Sequence, residues 1–324
     1  MKRVGTIALL LIALLVITGF VTRPPALGTA VSVYPLKDLP EAHLEITEAA
    51  AHEVHPITPG AEKRIRWAGA PGERTQRVVI YMHGFSATRQ EIAPVPELVA
   101  DALGANLFET RLTGHGLLDN GPLVATGEEW LQDGAEALAI GEALGDELII
   151  IGTSTGATLA TAMAEHPAFD AVSTLVFVSP NFGPASAGSG IMTGPFGPQL
   201  TRILVGERTS WDAANEEQEM YWTTDYPSST LVEMMRLVDL ANALTPTAEV
   251  PSAFLVYSPK DDVVSVEKFL AAFDTLPAGR KGVHKVDDPE SLSPHVLSGD
   301  ILAPGTSEGT AAAISGFILA QGDS

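Results

Sequence analysis

The chain contains no cysteine. That excludes disulfides, thiolate metal sites, a cysteine nucleophile and acylation at an N-terminal cysteine, and it fits either redox compartment. The chain is also poor in positive charge. Its 19 Lys and Arg stand against 40 Asp and Glu, for a formal net charge of −21 and a pI near 4.6. A nucleic-acid backbone is held by clustered basic side chains, so that class of partner is excluded. Aromatic residues are scarce at 6%, yet 45% of the chain is hydrophobic. A sizeable core must therefore be built from small aliphatic side chains. There is no low-complexity tract and no internal repeat. At 324 residues the chain is long enough for one large domain with an insertion, or for two modest domains.

What is present begins with a long apolar run. Lys2 and Arg3 precede residues 4–22, which carry no charge until Arg23. At about 1.5 Å per helical residue this run just spans a bilayer core of about 30 Å. A secretory signal has a shorter apolar region and a small-x-small cleavage site. Here the nearest small residues, Ala26 to Ala30, come after Pro24 and Pro25. Residues 1–22 are read as an uncleaved transmembrane signal anchor, with a cleaved signal peptide as the alternative. Lys2 and Arg3 would then stay cytoplasmic. The rest would lie outside the cytoplasm (in the periplasm of a bacterium) or be secreted after cleavage. Residues 23–61 contain Pro24, Pro25, Pro35, Pro40, Pro56 and Pro59 and read as a partly extended, proline-rich tether. His43, His52 and His55 lie in it without metal-ligand spacing and read as surface histidines.

Strands and helices alternate beyond the tether. Residues 77–82, 105–110, 148–151, 174–178, 252–257 and 281–286 are short, largely apolar runs. Residues 92–103, 128–144 and 309–319 have helical patterning. Near-continuous apolar strands between helices predict an α/β fold, with a mostly parallel central sheet covered on both faces. Residues 182–247 break the rhythm. They are rich in Gly, Pro and Ser at first, then carry Trp211, Tyr221, Trp222 and Tyr226, then an amphipathic helix over 231–240. This is the natural place for a cap inserted over a pocket, with ordinary helix packing as the plainer alternative. The core is thus divided into 62–181 and 248–324.

One stretch organises the rest. Leu148 to Ile151 reads as a buried strand, Gly152-Thr153-Ser154-Thr155-Gly156 as a tight turn, and Ala157 to Ala164 as a helix. Strand, turn and helix around G-x-S-x-G form the context of a nucleophile elbow. In so sharp a turn a Cβ at either glycine would clash. The helix start offers unpaired N–H groups and a positive dipole end to a developing oxyanion. The plainer reading is a glycine-rich strand-to-helix turn with Ser154 as a passive cap. A serine hydroxyl needs a base, and the base needs an acid to orient it. Ser154, Asp261 and His295 all follow predicted strands, in the order Ser, Asp, His, where an open parallel sheet gathers its ligands.

With these pieces in place the chain resembles the α/β-hydrolase family, and most of all its bacterial monoacylglycerol lipase and carboxylesterase branch. The resemblance rests on His83-Gly84-Phe85-Ser86, Arg111-Leu112-Thr113-Gly114-His115-Gly116, Gly152 to Gly156, Ser258 to Val264 and Ser293 to Leu297. It spans residues from about 63 to 322 and leaves the anchor, tether and cap unmatched. It implies Ser154 as nucleophile, His295 as base and then acid, and Asp261 as its orienting partner, with Asp262 as the alternative acid. It implies an oxyanion hole made by the backbone N–H groups of Phe85 and Thr155. His83 is expected to support that loop, His115 to make a structural hydrogen bond or line the pocket, and His166 and His284 to be ordinary histidines. Ser258 stands where the family often has Gly, and Thr153 and Thr155 where it often has bulkier residues. The implied activity is cleavage of a carboxylic ester of a small, lipid-like molecule through an acyl-enzyme, with no cofactor or metal. The same three residues could instead serve an amide, a thioester, a carbon–carbon bond or perhydrolysis. A rival of another class is a non-catalytic, membrane-anchored binding protein on a hydrolase fold.

Overall fold

The structure, a computed structural model, describes residue 14 and residues 17–320. The strands in chain order are β1 (Arg64–Arg66), β2 (Thr75–Met82), β3 (Asn106–Glu109), β4 (Gly145–Thr153), β5 (Val172–Val178), β6 (Arg208–Ser210), β7 (Asp225–Pro227), β8 (Val250–Tyr257) and β9 (Ala278–Lys285). Seven of them form one sheet in the order β1-β3-β2-β4-β5-β8-β9. Only β1 runs antiparallel to its neighbour; the other pairings are parallel. From β2 the chain moves to β3 on one side, and from β4 to β5 on the other. The crevice of this open sheet therefore lies between the carboxyl ends of β2 and β4.

The apolar runs explain the layers. Val78, Ile80 and Met82 of β2 and Leu148 and Ile150 of β4 point to one face, and Val79, Tyr81, Ile149 and Ile151 to the other. All are fully buried, as strands covered on both faces must be. The helices are α1 (Pro40–Val54), α2 (Val95–Leu103), α3 (Gly127–Leu144), α4 (Thr155–Ala162), α5 (Gly197–Leu204), α6 (Glu216–Tyr221), α7 (Ser229–Leu244), α8 (Val266–Thr275) and α9 (Ser307–Leu319). The first face packs against α3, α4, α7 and α8, and the second against α2 and α9. A capping box starts α3: Glu129 N–H donates to Thr126 Oγ1, and Thr126 N–H to Glu129 Oε2.

One expectation is refined and one corrected. Residues 23–61, expected as a partly extended tether, carry a helix over 15 of their residues. The helix is fastened by charge. Glu48 takes both its oxygens to the Arg111 guanidinium at 2.9 and 2.7 Å. His43 is buried rather than on the surface, with Nε2 2.8 Å from Glu136 Oε1, and Lys63 Nζ reaches the other oxygen of Glu136 at 2.5 Å. Proline content misled the reading, since Pro40 starts the helix, where its missing N–H does no harm.

The predicted anchor, residues 1–22, falls mostly outside the described residues. Among the described residues no helix is long and apolar enough to cross a membrane. The stretch just after it lies on the insertion: Arg23 Nε donates to Thr193 O at 3.0 Å, and Arg236 Nε to Pro25 O at 2.8 Å. Between β5 and β8 the chain forms α5, β6, α6, β7 and α7, with β6 and β7 paired antiparallel. This strand pair has no counterpart in the sequence analysis, since strands of three residues carry too little periodicity to register.

Candidate active site

Ser154 stands between β4 and α4 with φ 51° and ψ −115°. A serine rarely adopts positive φ, so its surroundings must hold it there. They do so on both sides. Its N–H donates to Val178 O at 2.9 Å, and its carbonyl accepts from Ala157 N–H and Asn181 N–H at 3.1 Å. The two glycines of the turn are required by space. A Cβ on Gly152 would come within 2.6 Å of the Ala157 backbone, and one on Gly156 within 2.0 Å of Met82 O. The N–H of Thr155 belongs to the first turn of α4, where a helix leaves its donors unpaired.

Across the crevice, β2 runs into His83-Gly84-Phe85-Ser86. His83 is fully buried. Its Nε2 accepts from Leu112 N–H at 3.0 Å, so Nδ1 carries the proton and donates to Gly84 O at 2.9 Å. Burial pushes its pKa down to about 4, against the bond to Gly84, so the ring is neutral at pH 7. In a trans peptide C=O and N–H point opposite ways. Holding the Gly84 carbonyl therefore aims the N–H of Phe85 away from His83. His115 does not line the cavity. It packs edge-on against Phe85, ring centroids 6.0 Å apart, and its Nδ1 lies 3.1 Å from Thr113 O.

Asp261 follows β8. Its Oδ1 accepts from Val263 and Val264 N–H at 3.0 Å each, and its Oδ2 from His295 Nδ1 at 2.8 Å. Its side chain is fully buried. Asp262 is exposed and is not the residue that meets His295. The pKa of His295 is raised. Burial lowers it, but the hydrogen bond and charge of Asp261 outweigh burial, with smaller help from Glu91 and Asp262. With Nδ1 committed to Asp261, Nε2 is the nitrogen left to exchange a proton.

Ser154 and His295 line one cavity of about 510 Å³ together with Phe85 and Thr155. Its walls are mostly apolar: Met192, Trp211, Trp222, Tyr226, Leu231 and Met234 of the insertion face Val263, Val264 and Leu292 of the core. The lining includes Glu91 and Asp212 but no Lys or Arg. Tyr221, grouped with the other aromatics in the sequence reading, lines a separate groove. Among the described residues no group of three or more His, Asp or Glu is placed to hold a metal ion.

Two lining residues escaped the sequence reading. Asn181, just past β5, donates from Nδ2 to Thr155 Oγ1 at 3.4 Å and accepts from Gly183 N–H at 3.1 Å. Glu91 is 2% exposed, and burial pushes its carboxyl up to about 7. No local pattern marks either one: Asn181 follows β5, and Glu91 lies in the turn after β2, seven residues past Gly84.

The model of the Alpha/beta hydrolase family matches residues 79–295. No curated protein matches the chain by sequence. Among solved structures, one of the metagenome-derived lipolytic enzymes LipS and LipT aligns with TM-score 0.64 at 18% identity, covering 82% of this chain and 99% of that one. The monoacylglycerol lipase of Paleococcus ferrophilus aligns with TM-score 0.59 at 16% identity, covering 80% and 98%. A soluble variant of monoglyceride lipase from Saccharomyces cerevisiae aligns with TM-score 0.54 at 12% identity, covering 81% and 93%. At such identities the likeness concerns the fold; the family match spans two thirds of the chain and includes the turn at Ser154, the loop after β2 and both Asp261 and His295. The chain belongs to the α/β-hydrolase family.

Proposed function

We propose that this protein is a serine hydrolase that cleaves carboxylic esters of neutral, lipid-like alcohols. The observation that carries the reading is the meeting of Ser154, His295 and the Asp261–His295 hydrogen bond at one apolar cavity. Ser154 Oγ attacks the acyl carbon while His295 Nε2 takes its proton. The imidazolium is stabilised by Asp261. Charge developing on the acyl oxygen is received by the N–H groups of Thr155 and Phe85. The tetrahedral intermediate collapses, His295 returns the proton to the leaving alcohol, and an ester on Ser154 remains. Water then attacks that ester by the same steps, with His295 as base, and releases the acid.

The insertion acts as a cap that holds the acyl chain, since its apolar side chains form much of the cavity wall. The lining supports neutral substrates. Asp212, with no Lys or Arg in the lining to offset it, opposes a substrate that brings its own carboxylate or phosphate. The lipase and esterase names of structural neighbours agree with an ester bond.

The test is hydrolysis of a p-nitrophenyl ester series from acetyl to palmitoyl, beside a hemisuccinate ester and a Ser154→Ala control. Turnover is expected on the neutral esters, at least about tenfold better than on the anionic one. It should drop by about 10⁴-fold or more in Ser154→Ala. Full activity in Ser154→Ala would overturn the mechanism. No turnover, and no labelling of Ser154 by a fluorophosphonate, would favour a binding protein on the same fold.

A further inference from the structure

Acyl transfer as proposed leaves one buried acid of the cavity lining unused. Glu91 lies under the oxyanion loop, 2% exposed and with its carboxyl at the cavity wall. Its Oε2 accepts from Gly84 N–H at 2.7 Å and from the Tyr81 hydroxyl at 3.2 Å. The Tyr81 hydroxyl also lies 3.2 Å from Thr153 Oγ1, and Thr153 immediately precedes Ser154. The contact with the loop is tight enough that a Cβ on Gly84 would come within 2.6 Å of Glu91 Oε1.

The position of this cluster matters because of where the sheet stops. The ladder between β2 and β4 ends at the pair Met82 and Gly152. The two proposed oxyanion donors lie past that point, Phe85 on the β2 side and Thr155 on the β4 side. No ladder bond fixes their separation there. A hole accurate to a few tenths of an ångström needs a cross-tie beyond the last ladder pair. Glu91, Tyr81 and Thr153 span that gap through side chains alone. His83 holds the Gly84–Phe85 peptide by its carbonyl; Glu91 holds the preceding peptide by its N–H.

We propose that Glu91 is a positioning residue of the oxyanion hole, bracing the Gly84–Phe85 loop against the Ser154 elbow through Tyr81 and Thr153. The proposal rests on the acyl-transfer reading of the site. The brace works by accepting hydrogen bonds, and Oε2 can accept whether or not Oε1 carries a proton. Burial favours the protonated form. A glutamine, which has the shape of a protonated glutamate, should therefore replace it in large part.

The experiment compares Glu91→Ala, Glu91→Gln and Tyr81→Phe with the wild type and with Ser154→Ala, by steady-state kinetics on the best ester and by denaturant unfolding. An oxyanion contact acts in the transition state rather than the ground state, so its loss lowers kcat and leaves KM in place. Glu91→Ala should lose about 10²-fold in kcat with KM within about threefold, in the range of a lost oxyanion donor. Glu91→Gln should recover to within about tenfold of wild type. A Glu91→Ala kcat within about threefold of wild type, an effect confined to KM, or a Glu91→Gln as impaired as Glu91→Ala would each overturn the proposal. If Glu91→Ala does not fold, Tyr81→Phe decides: a lower kcat at unchanged KM supports the brace, and wild-type kinetics refute it. If wild-type turnover survives in Ser154→Ala, the acyl-transfer reading itself has failed. If turnover depends on Ser154 and Glu91→Ala is normal, only the brace has.

Discussion

Asp261 and Asp262 are neighbours in sequence and opposites in surroundings. Asp261 is enclosed, with one oxygen on two backbone N–H groups and the other on His295. Asp262 faces solvent and reaches His295 only through its field. We expect Asp261→Asn to lower kcat by about 10⁴-fold, because an amide that donates toward Nδ1 favours the wrong tautomer. Asp262→Asn should keep kcat. The two also differ in pH dependence. As the proposed base His295 acts only when neutral, so kcat/KM should fall as pH drops through its pKa. That pKa is raised, so the acid limb should lie above the ordinary histidine value of about 6.5. Asp262→Asn removes one raising charge and should move the limb to lower pH. A pH–rate profile of both variants checks the prediction; a normal kcat in Asp261→Asn would contradict it. The resemblance already favoured Asp261 with Asp262 as the alternative, and the side-chain directions after β8 show which of the two meets His295.

Among the elements, the elbow was legible and α1 was not. The elbow is a local object: a buried run, two glycines where backbone crowds backbone, and a helix start within a dozen residues. Its strain at Ser154 is held by bonds to Val178 and Asn181 from the next strand. By contrast, α1 owes its place to partners 60 to 90 residues away. Glu48 neutralises Arg111, whose side chain is 6% exposed. Arg111 also begins the loop that carries His115 against Phe85. Glu48→Ala would leave a buried guanidinium without its carboxylate and should cost about 3–5 kcal/mol. Equilibrium unfolding in urea reads this as a lower midpoint at unchanged slope. A variant as stable as wild type would mean that α1 is dispensable to the domain.

At the scale of the whole molecule, the acidic surface and the apolar N-terminal run pull in different directions. A net charge of −21 repels anionic lipid surfaces and suits a soluble domain. The run over residues 4–22 suits a bilayer. We infer that the run anchors the catalytic domain to a membrane, outside the cytoplasm. The chain leaving it is tied to the insertion by Arg23 on Thr193 and by Arg236 on Pro25. The anchor would thus be coupled to the cap. After expression of the full chain, fractionation should find the protein in membranes and resistant to carbonate extraction. Recovery in the soluble fraction, at a mass lacking the first residues, would favour the cleaved signal.

The sequence by itself determined the alternation of strands and helices, the parallel sheet and the order Ser154, Asp261, His295. Each of these follows from short-range pattern: periodicity of apolar residues, glycine at a crowded turn, polar residues at strand ends. Only the tertiary structure decided that Asp261 meets His295, that His83 aims the Phe85 peptide and that α1 belongs to the folded domain. It alone showed Glu91 bound to the Gly84–Phe85 loop. Those facts depend on segments brought side by side from distant parts of the chain: the loops after β8 and β9, the loops after β2 and β3, and α1 against α3. A contact between residues far apart in sequence leaves no periodicity in either of them. Burial and hydrogen bonding then fix the protonation and direction of each group, and both are properties of what surrounds a residue rather than of its place in the chain.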